Sequence, residues 1–230
     1  MKPDELFDGV PPDRATYVLG QAIPFNPQQW KKRLGSWPAW VWPDVLDQCP
    51  VQGGWPVVDR RTVFGMAQDL GTAEGRFHLL LATLVWGTGT KAINVARRAA
   101  IFENEMSWVD QRLEAAVHLL RDGDLLAAYQ VLNAPGKTIS HFATAYFTKF
   151  LYFAGWEHAG EDKPLIMDSN IVKALRKIED PEAPGAVWPD HIRQHSSVYL
   201  AYVRAAQRWA ALHGTEPDVV ERRLFQLGKG

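Results

Sequence analysis

Residues 141–156 read HFATAYFTKFLYFAGW, an apolar and aromatic stretch that holds one charged side chain, Lys149. Its apolar residues recur at three- and four-residue intervals, which predicts a buried α-helix, and Gly155 is a typical C-terminal stop. We expect this helix to begin at Lys137 and to be the longest apolar helix of the chain. Because an unpaired ammonium group is costly to bury, the lysine requires an explanation.

The same helical period continues on both sides of this stretch. No alternating pattern convincingly indicates a strand, and the chain contains no repeat and no low-complexity tract. The sequence therefore predicts an all-α protein with a multi-helix architecture. The predicted helices of the main body span residues 60–70, 76–86, 91–102, 108–123, 124–133, 137–155, 168–178, 191–214 and 217–228.

Residues 1–58 differ from the rest because proline recurs throughout them and because they hold five of the ten tryptophans. Proline interrupts helix interiors, so we expect short helices and loops, with one helix over residues 26–35 that begins at Asn26 and Pro27. Large tryptophan rings favour an arm packed on the body over a disordered tail. We therefore predict an N-terminal arm, residues 1–58, and a helical domain, residues 59–230.

The composition is that of an ordinary globular protein, with 230 residues of which 47% are hydrophobic. A lone cysteine, Cys49, excludes an intramolecular disulfide and a cysteine-rich metal site. The first residues lack the apolar segment of a secretory signal, and no apolar run is long enough to cross a bilayer. We expect a cytoplasmic, nucleoid-associated monomer without a membrane partner. The net charge of −1 argues mildly against nucleic acid as a partner, although a local basic face is compatible with it.

Lys149 and Asp168 form a chemically suggestive pair. A lone lysine on an amphipathic helix usually reaches for solvent, and an aspartate at a helix start is a common N-cap. An amine in an apolar pocket, however, has a lowered pKa and can act as a nucleophile, while a nearby carboxylate can stabilise a developing cation. The residues predicted to share the side of the helix that carries the lysine are Ser140, His141, Thr144, Ala145 and Thr148.

The segments around this pair resemble a known family. YFTKFLYFAG and PLIMDSNIVKALRK separate the lysine from the aspartate by 168 − 149 = 19 residues, with a helix, a loop and a new helix start between them. This is similar to the helix-hairpin-helix DNA glycosylases, in particular to bacterial proteins that are like 8-oxoguanine glycosylase. LLATLVWGTGTKAINVARRAAIF likewise resembles the helix, short loop and helix of that branch. The likeness covers about residues 76–178 and does not extend to the arm.

The resemblance implies base excision from DNA, through Lys149 attacking the sugar C1′ and Asp168 stabilising the cation. The implied partner is double-stranded DNA with a flipped, damaged purine such as 8-oxoguanine, and strand cleavage can follow; no cofactor is implied. The family hairpin carries a Gly-x-Gly turn before the lysine, whereas this chain has SHFATAYFTK and places the lysine about one helical turn deeper. Lys137 is the rival nucleophile, but it follows Pro135-Gly136 and is expected to be solvated.

A flipped base needs a pocket, and its place in the duplex must be filled. The loop of residues 86–90 suits the second task because two glycines allow close approach, although a simple helix–helix turn capped by Thr90 explains it equally well. Aromatic pocket candidates, each of which is more often a core residue, are Trp86, Tyr146, Tyr152, Trp156 and Phe225. The candidate DNA contacts are Trp86, Gly87, Thr88, Gly89, Thr90, Lys91, Arg97, Arg98, Lys137, Tyr146, Ser169 and Asn170.

Other interpretations are open at this point. The scaffold could act on another damaged or hypermodified base. It could also be a non-catalytic module that binds nucleic acid or protein, in which Lys149 would be ion-paired or exposed and far from Asp168. His191 and His195 have a spacing that can bind a metal, but no acid of the HExxH type lies between them and no third ligand is evident, so no metal site is predicted.

Overall fold

The structure, a computed structural model, describes residues 1–35, 37–136, 138–158, 160–180, 188 and 195–230. Lys137 and His191 lie outside these residues. Within them the chain is mostly helical, which confirms the all-α prediction. The α-helices are α1 (Pro27–Arg33), α2 (Asp44–Asp47), α3 (Arg60–Met66), α4 (Ala73–Thr88), α5 (Ala92–Ala99), α6 (Met106–Arg121), α7 (Leu125–Asn133), α8 (Thr144–Gly155), α9 (Ser169–Leu175), α10 (Ser196–His213) and α11 (Pro217–Lys229).

Short elements precede α1 or lie between later helices. Single 3-10 turns lie at Pro3–Glu5, Ala39–Val41, Ala67–Asp69 and Ala100–Glu103, and a π-helical turn lies at Ala15–Leu19. Among the described helices, none combines the length and apolarity that a membrane-spanning segment requires.

A small antiparallel sheet, which the sequence did not predict, lies in the arm. Its strands β1 (Ile23–Pro24), β2 (Val51–Gln52) and β3 (Trp55–Val58) are arranged in the order β1-β3-β2. Gly53 and Gly54 both have positive φ and form the turn between β2 and β3. Strands of two to four residues are too short to show an alternating pattern, which is why the sequence did not reveal them.

Helix α8 is the centre of the core and packs against α4, α6 and α7. It begins at Thr144 and not at Lys137 as predicted, because the preceding residues turn away from a helix. His141 has a φ of +66°, and the N–H of Phe142 donates to the carbonyl of Ile139 in a turn. Ser140 therefore does not lie on the helical face that carries the lysine, and neither does His141.

The arm is packed into the same core as the rest of the chain. Leu6, Phe25 and Trp30 of the arm are fully buried and belong to one continuous cluster with side chains of the helical body. As predicted, Asn26 caps α1 by accepting a hydrogen bond from the N–H of Gln29. The arm and the helical body thus share one hydrophobic core.

Helices α9 and α11 approach each other at Gly228. A Cβ built on this glycine would lie 1.8 Å from the carbonyl oxygen of Asn170, so a backbone atom occupies the space that any side chain would need. By contrast, a Cβ on the exposed Gly65 of α3 would meet no atom within 4 Å.

We expect Gly228→Ala to lower the free energy of unfolding by about 3 kcal/mol, because backbone cannot yield as a flexible side chain can. The matched change Gly65→Ala should stabilise the protein by about 0.5–1 kcal/mol, since glycine is unfavourable inside helices. Urea unfolding of the two variants and the wild type measures both effects. Equal stability of the two variants would contradict the close approach of α9 and α11.

Candidate active site

Lys149 is buried and faces an acid. Its Nζ donates to the carbonyl of Ala145 at 2.7 Å and lies 3.8 Å from Oδ2 of Asp168. The exposed fractions of the two side chains are 8% and 16%. The arrangement in which the lysine reaches for solvent is therefore not the one observed. Lys149 is ion-paired, as was expected of a non-catalytic module, but its partner is Asp168 itself and not a group far from Asp168.

The position of Asp168 follows from its role as a helix cap. Its Oδ1 accepts hydrogen bonds from the N–H groups of Asn170 at 2.9 Å and Ile171 at 3.1 Å, at the start of α9. Acidic side chains are favoured at this position because a helix N-terminus carries a partial positive charge. Because Oδ1 is used by the helix, Oδ2 is left to face the lysine. Capping and pairing are thus compatible functions of one side chain.

The segment Leu165–Met167, which leads into Asp168, is fixed by three hydroxyl groups. Its last N–H donates to Oγ1 of Thr148 at 3.0 Å. The hydroxyl of Tyr199 accepts from the first N–H at 3.1 Å and donates to the first carbonyl at 2.8 Å. Tyr202 donates to the middle carbonyl at 3.0 Å. Since Thr148 is the neighbour of the lysine in α8, these bonds set the separation of amine and acid.

The environment of Lys149 shifts its protonation equilibrium. Burial lowers the pKa of the ammonium group, and the negative charge of Asp168 acts in the opposite direction. Glu221 also acts to raise the pKa, whereas Arg60 and Arg98 act to lower it. Since burial and the two guanidinium groups together outweigh the acids, the pKa of Lys149 is lowered and the neutral amine is more accessible here than on an exposed lysine.

Gly87 makes room for the lysine and for the aromatic ring beside it. A Cβ on Gly87 would lie 3.1 Å from Cε1 of Tyr146 and 3.2 Å from Cδ of Lys149. The hydroxyl of Tyr146 donates to the carbonyl of Gly87 at 3.3 Å, and its ring centroid is 5.4 Å from the lysine Nζ. The guanidinium carbon of Arg98 lies 4.1 Å from the same ring. The Tyr146 ring thus contacts both cations, Lys149 and Arg98.

The rest of the predicted loop, residues 86–90, continues from Gly87 along the chain. Gly87 and Thr88 are the last residues of α4, Gly89 has a φ of +75°, and Gly89 and Thr90 are both half-buried. Lys91, and not Thr90, precedes the first turn of α5, and its side chain makes no capping hydrogen bond.

Other candidate DNA contacts lie on exposed or half-exposed surface near the pair. Lys91, just before α5, and Arg97, on α5, are exposed. Ser169 and Asn170 follow Asp168 and are exposed and half-buried respectively. Sequence reasoning missed Ile93, which is 64% exposed on the first turn of α5. An isoleucine two residues after the GTGTK turn was the available signal.

Several aromatic pocket candidates are core residues. Trp86 is 4% exposed, and its N–H donates to the carbonyl of Gln21 at 3.0 Å. Tyr152 and Trp156 are also buried, and Phe225 is partly buried against the core. Trp86 therefore does not reach the surface on which the loop and α5 present their polar residues.

Two cavities in the described part of the chain, of about 870 and 910 Å³, are lined by neither member of the pair. One lies between the N-terminus and α10, and the other lies between the end of α7 and the start of α8 and α10. With 8% of its side chain exposed, Lys149 offers a nucleoside little open surface in this structure. Among the described residues no group of three His, Cys, Asp or Glu side chains is arranged to hold a metal ion.

We expect Asp168→Asn to lower the pKa of Lys149 further, because the carboxylate that it removes favours the charged amine. An NMR titration of the Lys149 side chain measures this shift. Asp162→Asn is the control, since Asp162 pairs with Arg204 and not with the lysine. A Lys149 pKa that rises or stays constant in Asp168→Asn would show that the pair is not electrostatically coupled.

Comparison with known proteins supports the resemblance seen in the sequence. A family model described as "Putative 8-oxoguanine DNA glycosylase OGG-like protein" matches residues 16–225. The match includes most of the arm, which the sequence resemblance had left out. No curated protein and no solved structure matches the chain. Because the family model covers more than half of the chain, the protein belongs to the 8-oxoguanine DNA glycosylase OGG-like family.

Proposed function

We propose that this protein is a DNA glycosylase that uses Lys149 as its nucleophile and Asp168 as the stabilising acid. The observation that carries the proposal is a buried amine 3.8 Å from a carboxylate, on two successive helices. Membership of the OGG-like family supports DNA as the substrate. A damaged purine such as 8-oxoguanine, flipped from double-stranded DNA, is the proposed target.

In the proposed reaction the neutral amine of Lys149 attacks C1′ of the flipped nucleotide. The bond between C1′ and the base breaks, its electron pair leaves with the base, and the base takes up a proton from solvent. Asp168 stabilises the positive charge that develops on the sugar. The attacking nitrogen then loses a proton and the sugar ring opens, which gives a Schiff base between Nζ and C1′. β-Elimination from this Schiff base would cleave the strand.

The protonation state of the lysine supports this role. An ammonium group has no electron pair with which to attack, so a nucleophilic lysine needs a lowered pKa. Burial lowers the pKa of Lys149, while Asp168 moderates the shift and can also interact with the sugar cation. The hydrogen bond from Nζ to the carbonyl of Ala145 fixes the position of the amine.

Borohydride trapping on a duplex that contains 8-oxoguanine tests this mechanism. We expect a covalent protein–DNA adduct with the wild type, none with Lys149→Gln, and an adduct that forms at least about 100-fold more slowly with Asp168→Asn. Lys32→Gln, on the exposed side of α1, is the control and should trap as the wild type does. An undiminished adduct with Lys149→Gln would transfer the role to another lysine, such as Lys137.

A panel of lesion duplexes separates 8-oxoguanine from other substrates. The departure of SHFATAYFTK from the glycine-containing hairpin of the family is the observation that favours another damaged or hypermodified base as the alternative. Preferential trapping on one such duplex would identify that base and leave the roles of Lys149 and Asp168 unchanged.

Lys91, which precedes α5, and Arg97 of α5 are the proposed phosphate contacts. Each contact releases counterions, so binding to DNA should weaken as the salt concentration rises. We expect Lys91→Gln and Arg97→Gln each to reduce the slope of log K against log salt by about 1, as measured on an undamaged duplex. Arg121→Gln, an exposed change at the end of α6, should leave the slope unchanged. An unchanged slope in both α5 variants would exclude this helix from the interface.

A further inference from the structure

A cluster of buried charges lies close enough to Lys149 to influence its pKa, and the proposed reaction does not use it. Asp218 and Glu221 of α11 are 0% and 1% exposed, and Arg60 of α3 is 1% exposed. Arg60 pairs with Glu221 at 2.6 Å. Burying such groups is costly unless each is paired and hydrogen-bonded, so the helices that carry them are held to fixed positions.

Asp218 binds two partners from distant parts of the chain. Nε of Arg14 donates to its Oδ1 at 3.0 Å and to its Oδ2 at 2.9 Å, and Nη2 of Arg14 lies 2.9 Å from Oδ2. The hydroxyl of Tyr152 donates to Oδ2 at 2.9 Å. Asp218 therefore joins the arm, α8 and α11.

This junction holds both helices of the candidate catalytic pair. Tyr152 lies one turn after Lys149 on α8, so its bond to Asp218 fixes α8 against α11. Helix α11 packs in turn on α9, with Gly228 against the backbone of Asn170, two residues beyond Asp168. A shift of α11 would therefore move the acid relative to the amine.

Arg14 is the arm's contribution to this junction, and it touches α8 at a second place. Its guanidinium carbon lies 4.7 Å from the ring centroid of Trp156, the residue that follows α8. The arm also reaches the second buried pair, because Oε1 of Gln21 accepts from Nε of Arg60 at 2.9 Å. Arm residues thus bind both buried ion pairs.

We propose that Arg14 is a positioning residue that holds Lys149 and Asp168 at their working separation. It acts on the pair through Asp218 and Tyr152 and does not touch the reacting atoms. Reaction rates are sensitive to displacements of about 1 Å in such pairs, and the arm is then a required part of the active site. The expected effect on the reaction rate rests on the proposed function. The effect of Arg14 on the position of α8 can be tested separately.

The catalytic test uses the full-length chain, with saturating enzyme and a single turnover of borohydride trapping. We expect Arg14→Met to lower the trapping rate at least about 10-fold, since 1 Å of misplacement can cost about 100-fold. Affinity for a duplex with a tetrahydrofuran abasic analogue should stay within about twofold of the wild type, because Arg14 is not proposed to contact DNA. Arg14→Lys, which keeps the charge, should recover most of the rate.

Arg61→Met is the matched control. Arg61 also contacts the arm, through the carbonyl of Ala15 at 3.2 Å, but it is exposed and binds no buried acid. It should trap at the wild-type rate. The proposal would be overturned if Arg14→Met trapped DNA at the same rate as Arg61→Met. It would also be overturned if Arg14→Lys trapped DNA no faster than Arg14→Met.

Arg14→Met leaves a buried carboxylate with one partner and could prevent folding. The double change Arg14→Met with Asp218→Asn removes the ion pair without leaving that charge behind, and it should show the same loss of rate. A folded double variant with wild-type rate would also overturn the proposal.

An NMR titration of Lys149 gives a readout that does not depend on glycosylase activity. If the junction holds α8 in place, Arg14→Met should admit water and raise the pKa of Lys149 towards that of an exposed lysine, and Arg14→Lys should reverse the change. If the pKa of Lys149 were equal in the wild type and in Arg14→Met, the claim that Arg14 holds α8 in place would be refuted. A wild type that fails to trap on any lesion duplex would instead refute the proposed function.

Discussion

The molecule is organised around charges that have been removed from water. An ammonium group, two guanidinium groups and three carboxylates lie within or at the edge of an aromatic core, and each is matched to an opposite charge. Removing one member of a buried pair typically costs about 3–5 kcal/mol, because the other is left unpaired. The helices that carry these groups therefore cannot slide freely. The geometry of the candidate site follows from this constraint.

The same constraint explains the tyrosines that surround the site. Tyr199 and Tyr202 bind the backbone before Asp168, and Tyr152 binds Asp218. Burial raises the pKa of Tyr152 well above its ordinary value, so its hydroxyl keeps the proton that it donates. Such hydroxyls can satisfy polar atoms within a core without adding another charge. The aromatic composition of the chain thus serves packing and polar satisfaction together.

Local patterns in the sequence revealed much of the fold and part of the site. The period of apolar residues predicted the main helices, and the apolar run before Asp168 predicted a capped helix start next to the lysine helix. The start of α8 was missed because the φ of +66° at His141 is not encoded by periodicity. The pairing of Arg14 with Asp218 was missed because 204 residues separate them, and no local pattern relates such distant positions.

The bond between Arg14 and Asp218 has a consequence for how the protein is made. Synthesis proceeds from the N-terminus, and contacts distant in sequence form only when both partners have left the ribosome. The arm, α8 and α9 would emerge before the helix that supplies Asp218 and Glu221. A nascent chain therefore cannot complete this junction until translation has passed residue 221, and shorter products of interrupted synthesis would lack Asp218 and Glu221, the buried partners of Arg14, Tyr152 and Arg60.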